Sequence, residues 1–191
     1  MNPITVQEVS PPNIYASKRD DVTKKIIALK KRRRVITRTF SFLFENRDTV
    51  LNQINEMVFI ENVQDQEEIK RLVRVYNDQV PARGELSVSM FIEFEDQQQM
   101  VREIPRLAGI EKSVYITFDG NEIRAKPEEG RSTEVLESTL QYLKFNFSKE
   151  DLSKFAVAKN VYIETRKDRY SESAKLHTEL LEDLKKELVT Q

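Results

Sequence analysis

The sequence predicts an α+β fold: a single domain over residues 1–191, with an antiparallel or mixed sheet of about six strands and helices packed on it. Three observations lead there. Apolar residues recur at helical spacing near both ends of the chain, at Val22, Ile26 and Leu29 and again at Leu181, Leu184 and Leu188. The middle of the chain alternates instead, most clearly at Leu86, Val88, Met90, Ile92 and Phe94. Helices gathered at the ends and strands in the middle argue against a doubly wound sheet. A chain of 191 residues, 39% hydrophobic and 33% charged, can bury one ordinary core beneath a solvated surface. No repeat, low-complexity segment or linker divides it.

Ser10 followed by Pro11 reads as a helix cap with an early proline, opening a helix over roughly residues 13–32. From Val35 the period changes to two. Ile36, Phe40, Phe42 and Phe44 share one face of a strand with Arg38, which must reach an acid or solvent. Asn46 caps the next helix, whose apolar stripe is Val50, Ile54, Met57 and Val58. Ile69, Leu72, Val73 and Tyr76 mark a third helix that ends before Pro81. The alternating strand at Leu86–Phe94 is followed by a short helix ending near Pro105. Val114, Ile116 and Phe118 alternate up to Asp119-Gly120, and Ile123 and Ala125 continue beyond it, a strong hairpin signal. Residues 130–138 read as a loop or short turn. Leu143, Phe145 and Phe147 mark a strand, and Ser148 with Asp151 form a capping box for a helix holding Leu152 and Phe155. Val161 and Ile163 lie in a last strand, and the closing helix carries Ala174, Leu181, Leu184 and Leu188.

Charge is unevenly placed although the net charge is only −1. Residues 18–38 hold ten cationic and two acidic side chains, about +8, and residues 45–68 hold seven acidic side chains and one arginine, about −6. Either these neighbours neutralise each other, or the basic segment attracts phosphate or an acidic protein. The corner where strand meets helix, around FENRD, is the best candidate for a site. Its candidate binding residues are Arg32, Arg33, Arg34, Arg38, Glu45, Asn46, Arg47, Gln53 and Glu56. A cation at a helix start is disfavoured by the helix dipole, so Arg47 needs an acid, and Glu45, Asp48 and Glu56 are nearest in sequence.

Much chemistry is excluded. With no cysteine there is no disulfide, thiolate metal site or cysteine nucleophile, and His177 is the only histidine. There is no G-x-S-x-G elbow, glycine-rich phosphate loop or EF-hand loop. Glu45 and Glu56 lie about three helical turns apart, too far for an acid–base pair. No catalytic residue, metal or cofactor is therefore expected, and the reading leans away from an enzyme. The alternative is a ligand-binding protein or enzyme with an arginine-lined pocket for an anionic substrate at the 34–57 corner. A pI of about 6.0 and the lack of interleaved aromatics argue against nucleic acid. The N-terminus MNPITVQEVSPP lacks the pattern of a signal peptide, and no apolar run approaches the ~20 residues of a spanning helix, so a cytoplasmic location is expected.

The segments KKRRRV (30–35), FLFENRDTVLNQINEM (42–57), YNDQVPARGELSVSMFIEF (76–94), LAGIE (107–111) and YLKFNF (142–147) resemble, in order and spacing, bacterial domain-of-unknown-function family 3501. The resemblance covers nearly the whole chain, and FENRDT and QINEM are its most specific parts. Genes of that family tend to lie beside a rubrerythrin-like di-iron protein and a cysteine-rich Fe–S oxidoreductase. The resemblance thus implies an accessory role in peroxide or oxidative-stress chemistry, with an acidic redox protein of either kind as the partner. Members often carry histidine where Lys30 stands, and many carry His-Pro where this chain has Asp168-Arg169 before Tyr170. A site built on those histidines is absent from this chain.

Overall fold

A residue that precedes proline is driven to extended backbone, so a Pro-Pro pair sets where a helix starts. In the computed structural model, which describes residues 1–128 and 138–190, Pro11 is extended (φ −54°, ψ 148°) and Pro12 opens α1 (Pro12–Arg32). The cap therefore falls one residue later than Ser10. The Ser10 amide donates instead to Asn55 Oδ1 at 2.8 Å, and its hydroxyl accepts from Lys18 Nζ at 2.7 Å. The cationic last turn, Lys30 to Arg32, complements the helix C-terminus.

The chain forms two compact units, Met1–Arg33 with Glu45–Ala82, and Arg34–Phe44 with Arg83–Gln191. The first unit is helical. It holds α1, α2 (Arg47–Ile60) and α3 (Gln66–Asn77). Val50, Ile54 and Val58 of α2 pack with Ile69, Leu72 and Val73 of α3, and Ile4, Val9 and Val80 close this core. Of the apolar stripes expected of these helices, these six helix residues are buried, and Met57 and Tyr76 are partly buried against the same core. Tyr15 is the one buried residue of α1, and its ring meets Phe59 edge-on at 5.9 Å.

Every strand among the described residues lies in the second unit. β1 (Arg34–Ile36), β2 (Phe40–Phe44), β3 (Glu85–Ile92), β6 (Lys126–Pro127) and β7 (Leu140–Asn146) form a five-stranded sheet ordered β1-β2-β3-β7-β6. β4 (Val114–Phe118), β5 (Asn121–Arg124), β8 (Val161–Thr165) and β9 (Glu172–Lys175) form a four-stranded sheet ordered β5-β4-β8-β9. All pairings are antiparallel. The helices are α4 (Gln97–Leu107), α5 (Lys149–Val157) and α6 (Thr178–Thr190). One core joins Phe40, Phe42, Val88 and Met90 from the larger sheet, Ile116 and Ile163 from the smaller, Phe155 of α5 and Leu184 of α6. The fold is α+β.

Where the reading has six strands in one sheet, the described residues have nine in two, because three short pieces escape periodicity. The expected 35–44 strand is a hairpin: Val35 pairs with Phe42 and Ile36 with Ser41. Thr37 Oγ1 accepts from the Phe40 amide at 3.2 Å, so a side chain replaces a ladder partner and the chain turns. Ile36 is accordingly 64% exposed and off the buried face. β6 spans two residues, too few to alternate. Ala174 lies in β9 rather than in the last helix. α4 ends at Leu107, two residues beyond Pro105, near where the sequence places its end. The Asp119-Gly120 hairpin forms as expected, with both residues at positive φ (43° and 85°). Of the turn expected over 130–138, residues 130–137 lie outside the described residues.

Candidate functional site

Asn46 is extended (φ −141°, ψ 179°) and caps α2, its Oδ1 accepting from the Thr49 amide at 3.0 Å while its own amide donates to Thr49 Oγ1 at 3.0 Å. This reciprocal box fixes the corner. The Thr49 hydroxyl donates to Glu45, and Gln53 Nε2 donates to Glu45 Oε1 at 3.2 Å. Arg33 Nη2 donates to the Glu45 carbonyl at 3.3 Å. Arg33 and Glu45 are 1% and 2% exposed, so neither faces a ligand in solvent. Arg32 lies exposed in the last turn of α1.

One face of α2 turns Asn52 and Glu56 toward α1. The Tyr15 hydroxyl donates to Glu56 Oε1 at 2.8 Å and lies 3.1 Å from Asn52 Oδ1. Arg19 grips the same carboxylate with Nε and Nη2, at 3.0 Å and 2.8 Å, and its guanidinium lies 4.9 Å over the Phe59 ring. The Arg19 hydrogen bonds hold Glu56 below the usual carboxylate range. Burial pushes the Tyr15 phenol well up, and the Glu56 charge adds to it. Tyr15, Arg19 and Asn52 are members of this cluster that sequence reasoning missed; the lone aromatic among the first turns of a charged helix is the one signal that could have found it.

Arg47 does find an acid, but not one of the three nearest in sequence. It pairs with Glu8, and its Nε donates to the Asn2 carbonyl at 3.1 Å. Glu8 ends a short 3-10 turn, Val6–Glu8, where its carboxylate also accepts from the Thr5 amide and hydroxyl. Arg47, with Thr5 behind it, lowers Glu8 to about 2. The partner is 39 residues away in sequence, beyond the reach of local spacing arguments.

Arg34 and Arg38 belong to the second unit. Arg34 Nη1 donates to Ser41 Oγ at 2.9 Å and lies 3.4 Å from Glu93 Oε1, with its guanidinium 4.9 Å over the Phe91 ring. Arg38, expected to reach an acid or solvent, does both: its side chain is exposed, and Nη2 donates to Glu172 Oε1 at 3.2 Å and to the Arg169 carbonyl at 3.1 Å. Glu172 also accepts from the Thr39 amide at 2.9 Å and hydroxyl at 2.7 Å. Burial alone would raise Glu172; hydrogen bonds from Thr37 and Thr39 outweigh it and hold the carboxyl low.

Most of these charges are thus answered inside their own unit. Two cavities of about 480 Å³ each lie elsewhere. One borders Val9, Pro11, Asn62, Val63 and Ile69, and the other borders Asp119, Glu122, Tyr162, Glu164 and Arg166. Neither is lined by a candidate residue. Among the described residues no three His, Cys, Asp or Glu side chains converge as a metal site would need, and no helix is long and apolar enough to cross a membrane.

The chain is similar to the crystal structure of a protein of unknown function from Burkholderia pseudomallei, at 28% identity and a TM-score of 0.91, covering 98% of this chain and 100% of that one. Among curated proteins none matches. The family described as a protein of unknown function (DUF3501) matches residues 3–188, and the chain belongs to that family.

Proposed function

We propose that this chain is a cytoplasmic, non-enzymatic accessory protein that docks an acidic partner through the exposed basic stripe of α1. The observation that carries the reading is which cations stand exposed together along α1. Arg19, Arg34, Arg38 and Arg47 each hold a carboxylate of their own unit. That closed pairing speaks against an arginine-lined substrate pocket at residues 34–57. On α1, Tyr15 is buried and Arg19, Val22, Ile26 and Leu29 are half-buried on one side. Lys18, Lys25 and Arg32 recur every seven residues on another, all exposed, with Ile14, 52% exposed, four residues before Lys18. The stripe from Ile14 to Arg32 is about 27 Å long, enough for a protein surface to lie along it.

The family resemblance supplies the class of partner, a rubrerythrin-like di-iron protein or an Fe–S oxidoreductase. The test is a pull-down at low ionic strength from the native organism, against a K18E/K25E/R32E variant. Reversal at Arg33 or Arg34 would confound it, because Arg33 is buried and Arg34 is tied to Ser41 and Glu93. A di-iron or Fe–S protein should be enriched by the wild type alone and released by salt, since exposed charges are screened over about 10 Å at 0.1 M. No enrichment over the variant sinks the reading.

A further inference from the structure

The second unit holds an excess of arginine around one acid. Glu103 lies on α4, with its side chain 9% exposed. Arg102 Nε donates to its Oε1 at 2.9 Å, and Arg106 Nη1 donates to Oε1 and Oε2 at 3.3 Å and 3.2 Å. Arg169 Nη2 donates to Oε2, as does the Tyr170 hydroxyl at 2.6 Å. A carboxylate has about four lone-pair sites, so these contacts fill it. Each guanidinium carries about five N–H donors, so most of the donors of all three remain open. Their side chains are 64%, 53% and 54% exposed, and among the described residues no second carboxylate pairs with any of them. Three cations on one anion leave a local charge of about +2.

The donors are also held in place. The Arg169 guanidinium lies 5.2 Å over the Tyr170 ring, whose other neighbour is Phe40, edge-on at 6.4 Å. Arg38 donates to the Arg169 carbonyl at 3.1 Å while Glu172 neutralises it, so it positions Arg169 without adding charge. Asp168, one residue before Arg169, has a φ of 43°, in the left-handed region that aspartate enters more readily than most residues. Arg102 and Arg106 stand one turn apart on α4. A single cation would complement the end of that helix. Three planar forks held around a saturated acid suit an oxyanion of two charges, which guanidinium groups bind with paired hydrogen bonds. We propose that Arg102, Arg106 and Arg169 bind the phosphate group of a small phosphate monoester.

The test titrates the full chain, at constant ionic strength, with inorganic phosphate, glycerol phosphate and succinate. Binding is read by calorimetry and by the Arg Nε–Hε signals in NMR spectra. Both phosphates should saturate, shifting the signals of Arg102, Arg106 and Arg169, and R102A/R106A should weaken them about tenfold or more. A control that removes equal charge, K149A/K159A, should leave the affinity unchanged. Succinate binding as well as phosphate, equal loss in the control, or shifts confined to other arginines would each overturn the proposal. Should R102A/R106A fail to fold, the location of the shifts in the wild-type titration decides alone.

Discussion

Replacing Tyr15 by Phe removes one hydroxyl from the interior of the helical unit and leaves the ring against Phe59. The residue is 1% exposed, and its hydroxyl donates to the Glu56 carboxylate at 2.8 Å. A hydrogen bond to a charged group is worth about 1.5–3 kcal/mol. Glu56 keeps its two-pronged contact with Arg19, so no buried carboxylate is orphaned and the loss belongs at the low end, about 1.5–2 kcal/mol at pH 7. The alkaline limb sharpens the test. Burial raises the folded phenol above the ordinary value near 10, so above pH ~10 the unfolded Tyr15 loses a proton that the folded one keeps. The wild type then loses about 1.4 kcal/mol per pH unit from this group, and Y15F does not. The penalty of the variant should shrink from pH 10 and fall to about 0.1–0.6 kcal/mol by pH 11. Urea denaturation followed by circular dichroism from pH 7 to 11 measures both arms. A penalty below about 0.5 kcal/mol at pH 7, the ordinary scatter of surface substitutions, would refute the argument. So would a penalty that is flat between pH 9 and 11.

Three further outcomes are expected. Arg47→Ala should raise the Glu8 carboxyl from about 2 part of the way toward 4.5, because the Thr5 hydrogen bonds remain; the stability Glu8 contributes is present above pH ~4.5 and lost as pH falls toward 2, and that acid limb should shrink in the variant, read by NMR titration and acid denaturation. Arg33→Ala removes a long side chain that is 1% exposed and should cost at least about 2 kcal/mol, whereas Lys25→Ala on the exposed stripe should stay within about 0.5 kcal/mol, both read from urea melts. Gly84→Ala and Gly120→Ala both force alanine to positive φ (68° and 85°), and since the new Cβ meets only ordinary contacts at Gly84 and open space at Gly120, each should cost about 1 kcal/mol in the same melts.

Elements whose burial follows a simple period, or whose turn demands particular residues, were legible in the sequence. α3 shows its stripe because Ile69, Leu72 and Val73 are its buried residues, and Asp119-Gly120 fixes its hairpin because both residues must take positive φ. β4 and β8 alternate strictly between buried and half-buried, so period two shows through. The failures share a cause. Phe40–Phe44 is buried at every position, so its face could not be read from alternation, and the Thr37 turn before it depends on a side chain standing in for the backbone. β9 has no buried position to mark it, and it exists because its Lys175 and Ala174 pair with Tyr162 and Ile163 of the strand before it.

Charge density along the sequence is a poor guide to a site, because folding changes which charges are neighbours. The run around residues 18–38 is dense, yet Arg19, Arg34 and Arg38 each meet a carboxylate, two of them more than 50 residues away in the chain. Arg102, Arg106 and Arg169 form no run, since 63 residues separate the second from the third. They nevertheless converge on Glu103, and there the cations outnumber the acid. The quantity that marks a binding surface is this local ratio after folding, together with the exposure of the surplus donors. By that measure the FENRD corner is architecture first: its box, its buried Glu45 and its Arg47–Glu8 tie hold the start of α2 in place. The exposed stripe of α1 and the arginines around Glu103 are the two surfaces proposed to hold a partner and an anion.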